Sequence, residues 1–173
     1  MATLNLDRYA RDARAWQDWA AINHAASQLL FANGNPSLYF PAVTLGHHTL
    51  EMYLKAVLIG EGMTVFDPKQ VKKLDPEVGL TADRCAWGHN LVALAQLLAA
   101  KRRDFNLSAE IYVPSLVLKM PMELLAAFEL FDPFFSELRY PMELQKIAGF
   151  GDEEGLVLDA LVDRLLPFLK NVP

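Results

Sequence analysis

The sequence predicts an all-α fold, an antiparallel up-and-down bundle of four to five helices in a single domain over residues 1–173. Three observations predict it. Long segments carry apolar residues at the 3.6-residue period, Gly and Pro fall between those segments, and no stretch alternates at the two-residue period of a strand.

Residues 4–33 read as the first helix. Tyr9, Ala13, Trp16, Ala20, Asn23 and Leu30 form one stripe, with Trp19, Ile22, Ala26 and Leu29 beside it, so a broad buried face is expected. Arg8–Asp12 and Arg14–Asp18 are i,i+4 pairs for the wet side. Asn33-Gly34-Asn35-Pro36 stops this helix, and Ser37 is the expected N-cap of a second helix running to Ile59. Pro41 is tolerated in its opening turn, and Gly60-Glu61-Gly62 closes it. The two helices should pack antiparallel through Trp16, Trp19, Val43, Leu50 and Leu54.

Residues 61–88 form a long loop with Gly62, Pro68, Pro76, Gly79 and Gly88 and a cluster of Lys69, Lys72 and Lys73. Ordered loops of this length are uncommon and usually functional. Asn90 to Arg103 is the third helix, with Leu91, Leu94, Leu97 and Leu98 inward and Lys101-Arg102-Arg103 complementing the dipole of its last turn. A fourth helix covers residues 115–131, entered through Met120-Pro121. Asp132-Pro133 and Phe134-Phe135 then lead to Arg139-Tyr140-Pro141. Asp152 caps the last helix, Glu153 and Glu154 occupy its first turn, and Pro167 should bend or shorten its end.

Composition narrows the classes. The hydrophobic share is 53%, yet no apolar run reaches the roughly 20 residues that span a bilayer. The surplus apolar surface points to a second copy of the chain, with Phe131, Phe134 and Phe135 clustered near a break as the expected contact. No signal peptide opens the sequence, and a lone cysteine, Cys85, excludes an internal disulfide; both fit a reducing cytoplasm. The net charge of −5 divides unevenly. Residues 61–103 carry seven Lys/Arg against five Asp/Glu, and residues 104–173 carry five against twelve, so any contact with nucleic acid must be local to the basic middle.

The chemistry-bearing residues cluster on the second helix. His47, Glu51 and Lys55 lie at i, i+4 and i+8 on one face, with Thr44 and His48 adjoining. Such a stripe either lines a groove, with Lys55 on a phosphate and a histidine exchanging a proton, or forms a polar seam held by a structural Glu51–Lys55 salt bridge. A zinc site needs three or four ligands at tight spacing. Adjacent His47 and His48 point apart on a helix, so no metal and no cofactor are expected. Cys85, four residues before His89, is a candidate thiol with a structural alternative.

Thr44-Leu-Gly-His-His-Thr-Leu-Glu51-Met-Tyr-Leu-Lys55-Ala, Gly88-His89-Asn90-Leu-Val-Ala-Leu and Leu138-Arg139-Tyr140-Pro141, in this order, resemble the HEPN domain, the higher eukaryote and prokaryote nucleotide-binding domain. The resemblance covers roughly residues 5–170. It implies a helical bundle that pairs as a homodimer and binds a nucleotide or RNA phosphate in an inter-helix groove. That groove would be edged by His47, Glu51, Lys55, Lys69, Lys72, Lys73, His89 and Arg139. It also implies work beside a nucleotidyltransferase partner, in the manner of toxin–antitoxin pairs.

Many members of that family are metal-independent ribonucleases with Arg, four to six residues, then His. Here Arg139 is followed by no histidine, whereas Arg84-Cys-Ala-Trp-Gly-His89 meets the spacing in the wrong part of the chain. The expected type is therefore non-catalytic. The alternatives are an RNA endonuclease using Arg84 and His89, and a purely structural or antitoxin-like helical partner.

Overall fold

The computed structural model describes residues 11–65, 86, 88–113, 121–133 and 152–169. Among these residues the chain is mainly helical, with five helices and one two-stranded ribbon of two residues per strand. Helix α1 is Ala13–Ala32 and α2 is Tyr39–Gly60; α3 is Leu91–Lys101, α4 Leu124–Phe131 and α5 Asp152–Leu169. Strand β1 (Glu110–Ile111) pairs antiparallel with β2 (Met122–Glu123).

Helix α2 is the central element. From Thr49 to Ile59 every residue but Met52 is buried, because α1, α3, α4 and α5 surround the helix. A helix apolar on all sides is the sequence signature of that position. Gly46 makes it possible at the α4–α5 side. A Cβ there would lie 3.0 Å from the Phe131 ring and 3.2 Å from Leu158, so glycine lets both neighbours close in. Gly155 plays the same part under Phe31, 3.0 Å from the ring.

The first two helices form an antiparallel hairpin. Trp16 meets Lys55 near one end, Asn23 meets Met52, and Ser27 Oγ donates to the Ala42 carbonyl at 2.7 Å near the other. Val43, Leu50 and Leu54 are fully buried and Trp16 packs against the core, as the sequence suggested. Trp19 does not: it is 58% exposed, and Ile22 and Leu29 stand out beside it at 59% and 73%. The side of α1 facing α2 is instead built from Ala13, Ala20, Ser27 and Phe31, so the buried face is narrower than expected.

Several boundaries also move. Helix α1 starts after Asp12, whose side chain accepts from Ala15 N at 3.0 Å, rather than running through from residue 4; residues 1–10 lie outside the described residues. Ser37 is not a cap. Asn35 caps a 3₁₀ turn, Pro36–Leu38, by accepting from Ser37 N, and α2 follows directly. Gly62, at φ 81°, takes the left-handed turn that ends α2.

Asn90 caps α3 through Ala93 N at 2.6 Å, and Leu91, Leu94 and Leu98 face inward. Arg102, just beyond α3, bonds Asp104 and Glu61 and covers the Phe168 ring at 5.2 Å, which fixes it as a structural cation. The fourth helix starts at Leu124, because Met122–Glu123 is drawn into the ribbon; residues 115–120 of the expected helix lie outside the described residues. The carbonyls of Ala109 and Leu107 then accept from Leu124 N and Leu125 N, satisfying donors at the α4 start. Asp152 is the first residue of α5, not its cap, and Pro167 sits inside the last turn without ending it. There it removes an N–H but leaves the two residues after it helical.

No helix among the described residues is long and apolar enough to cross a membrane. Phe131, assigned on sequence to a contact between copies, is fully buried in the core; Phe134 and Phe135 lie outside the described residues.

Candidate functional site

Helix α2 presents Glu51 to a space bounded by its own next and previous turns and by the start of α3. Lys55 Nζ donates to Glu51 Oε1 at 2.6 Å, and both side chains are almost wholly buried. His89, one residue before the Asn90 cap, places Nδ1 at 3.0 and 3.1 Å from the two Glu51 oxygens. His48 Nδ1 and His47 Nε2 are farther away, at 3.8 and 3.7 Å from Oε2. One carboxylate thus sits among a lysine and three imidazoles. Burial pushes the Glu51 carboxyl up, but His48, Lys55 and His89 outweigh it and hold it at about 2. Of these, Lys55 at 2.6 Å makes the shortest contact and His48 the longest.

His47 lies deeper and differs in kind. Its Nδ1 stands 2.8 Å from the Phe131 carbonyl, which can only accept, so Nδ1 carries the hydrogen and Nε2 the lone pair. The Nε2–Oε2 separation of 3.7 Å is what two facing acceptors adopt. Burial holds the His47 pKa below its ordinary value, against the Phe131 carbonyl, the charges of Glu51 and Asp132, and with His48 adding to the depression. The ring is therefore a neutral structural group. His89 and His48 are the members that reach the surface, with side chains 46% and 31% exposed.

Two supports fix this geometry, and neither was legible as a site feature. Trp16 on α1 stacks over Lys55, with Nζ 5.4 Å from the ring centroid, within cation–π reach. Asp132, just past α4, accepts from Leu91 N and from Asn90 Nδ2, holding the start of α3 and so the backbone beside His89. On sequence, Trp16 was a core residue and Asp132 part of a turn. The only signal for the latter was an acid whose helix partner lies 41 residues away.

The structure therefore brings together His47, His48, Glu51 and Lys55 from α2 and His89 from the segment leading into α3. Lys55 is 3% exposed and committed to Glu51 and Trp16, so it underlies the site rather than lining its mouth. Lys69, Lys72, Lys73, Arg84 and Arg139 lie outside the described residues, as does Cys85. Among the described residues no group of His, Cys, Asp or Glu has metal-binding geometry. No family model matches the chain, and neither a curated protein nor a solved structure resembles it significantly.

Acid should act on this cluster in two stages. Both Glu51 and His47 have folded-state pKa values below their unfolded ones, so the unfolded chain binds more protons and stability falls as pH falls. The His47 contribution is present above 6.5 and is lost as pH drops below it; that of Glu51 is lost between 4.5 and about 2. Urea midpoints should drop on crossing pH 6.5, and less so in His47→Gln. A midpoint equally steep in both proteins would show that His47 is not the group responsible.

Proposed function

We propose that the chain is a HEPN-like helical binding module, homodimeric and non-catalytic, that holds the phosphate of a nucleotide or RNA at the mouth of the groove between α2 and the start of α3. The observation that supports this reading is the convergence of partly exposed His48 and His89 on one buried, ionised carboxylate. Glu51 orients the His89 ring by accepting at Nδ1, which turns the far edge of the ring, with Nε2, away from the carboxylate. When the ring is an imidazolium, its Nε2–H donates a charge-assisted hydrogen bond to a phosphate oxygen at that edge. Lys55 acts from beneath, by keeping Glu51 ionised and in place. Lys69, Lys72, Lys73 and Arg139 are the further cations this reading recruits, and a nucleotidyltransferase is its expected protein partner.

Fluorescence anisotropy with a labelled oligoribonucleotide, competed by ATP, tests it. His89→Ala should weaken binding by roughly tenfold or more, the value of one hydrogen bond to a charged group. Equal affinity in the two proteins, or no binding by either, would remove the groove reading. The same samples incubated with RNA in EDTA should show no cleavage. Cutting by the wild type that disappears in His89→Ala would establish the endonuclease alternative with Arg84.

A further inference from the structure

Helix α2 is buried on nearly every side, yet one edge of it stays accessible. Between Ala42 and Ile59 the residues that are not buried are Thr44, Leu45, His48 and Met52. Their steps of three and four place them on one line along the helix. His48 belongs to the cluster around Glu51, and Met52 stands one turn further on. There the edge meets α1, and Ala15, Trp16, Trp19 and Met52 line an open apolar pocket of about 260 Å³. Asn23 steadies its far wall: Nδ2 donates to the Trp19 carbonyl at 2.9 Å and lies 3.6 Å from Met52 Sδ.

Three contacts in series tie this pocket to the imidazoles. The Trp16 ring centroid is 5.4 Å from Lys55 Nζ, which is 2.6 Å from Glu51 Oε1, itself 3.0 Å from His89 Nδ1. One nucleotide, from its base to its last phosphate, spans such a separation. The lining side chains carry no charge, and two of the four are indoles, whose flat faces stack on any base. A dry cavity of roughly 150 Å³ holds benzene, so a space of about 260 Å³ admits the two fused rings of a purine. A bare phosphate would leave this pocket unfilled, and an aliphatic chain would bring no anion to the imidazoles. A base joined to a phosphate satisfies both ends.

We propose that the pocket is the base subsite of the groove: a purine stacks on Trp19 between Ala15 and Met52, and its phosphates follow the His48 edge of α2 to His89. This rests on the phosphate reading above and adds the part of the ligand that reading leaves open. Apart from the indole N–H groups, nothing in the lining reads a base edge, so stacking area sets the preference and purines outrank pyrimidines.

Isothermal titration of the full chain with ATP, UTP and inorganic tripolyphosphate in EDTA tests it. The wild type should bind ATP roughly fivefold or more tightly than tripolyphosphate, the value of one stacked base, with UTP between them. Trp19→Ala should lose that advantage and keep its tripolyphosphate affinity, while Trp19→Phe should retain most of it. Because Trp19 is 58% exposed, helicity by circular dichroism should stay unchanged in both variants. Equal binding of ATP and tripolyphosphate by the wild type, or an ATP advantage that survives Trp19→Ala, would overturn the pocket and leave the phosphate reading standing. Trp19-dependent ATP binding that His89→Ala does not weaken would remove the phosphate reading and leave the pocket. Binding of none of the three ligands would overturn both.

Discussion

Lys55→Met should lower the free energy of unfolding by about 3–5 kcal/mol, because it removes one partner of a buried ion pair and leaves the other charge uncompensated. Glu51 and Lys55 are 4% and 3% exposed, and their contact is 2.6 Å, so water cannot replace the ammonium. The Glu51 carboxyl, held at about 2 in the wild type, should rise, since burial would then act with less opposition. The double variant Glu51→Gln/Lys55→Met removes both charges and should regain most of the loss, because a neutral amide costs far less to bury than a carboxylate. Urea denaturation of the wild type and the two variants decides it. A Lys55→Met protein within about 1 kcal/mol of wild type would mean that the pair is solvated and the site shallower than described.

Phe131→Ala should cost about 3–5 kcal/mol through the cavity it leaves, at the upper end for large-to-small core changes. The ring is fully buried, and it fills the space that Gly46 leaves open on α2. Little relaxation is available, since both helices flanking the gap are held by other contacts. The main-chain carbonyl of residue 131 survives the substitution, so the His47 hydrogen bond should persist while packing is lost. Thermal unfolding gives the stability, and the oligomeric state of the variant should match that of the wild type. A variant that keeps its stability but dissociates would return Phe131 to an interface.

These two residues also mark how far the sequence was legible. The Glu51–Lys55 pair followed from helical spacing, which is local, whereas a place for His89 on the same groove was only what the family resemblance implied, because its contact with Glu51 spans 38 residues. The depth of Lys55 did not follow from spacing, because burial is set by α1 and by Trp16, more than thirty residues away in the chain. Helix α1 shows the same division. Periodicity identified two apolar stripes on it, but a period says only that faces exist and not which one meets α2. Small residues at Ala20 and Ser27 decided that, by letting the helices approach, and Trp19 was left outside. The ribbon at Met122–Glu123 was hidden for another reason. Two-residue strands carry no alternation to read, and the pairing that creates them spans a separate segment.

Phe131 and Asp132 are consecutive, and between them they hold both walls of the site: the carbonyl of one fixes His47, and the carboxylate of the other fixes the backbone at Leu91. The two walls therefore share a single joint. A movement of the α4 end carries His47 and the residue chain beside His89 together, so the mouth can shift as a unit but has little freedom to gape. Changing the phase of this joint by one residue would rotate its two attachments apart by ~100°. The chain tolerates no length change there without surrendering one wall, which makes this dipeptide a point of fixed register in an otherwise adjustable bundle.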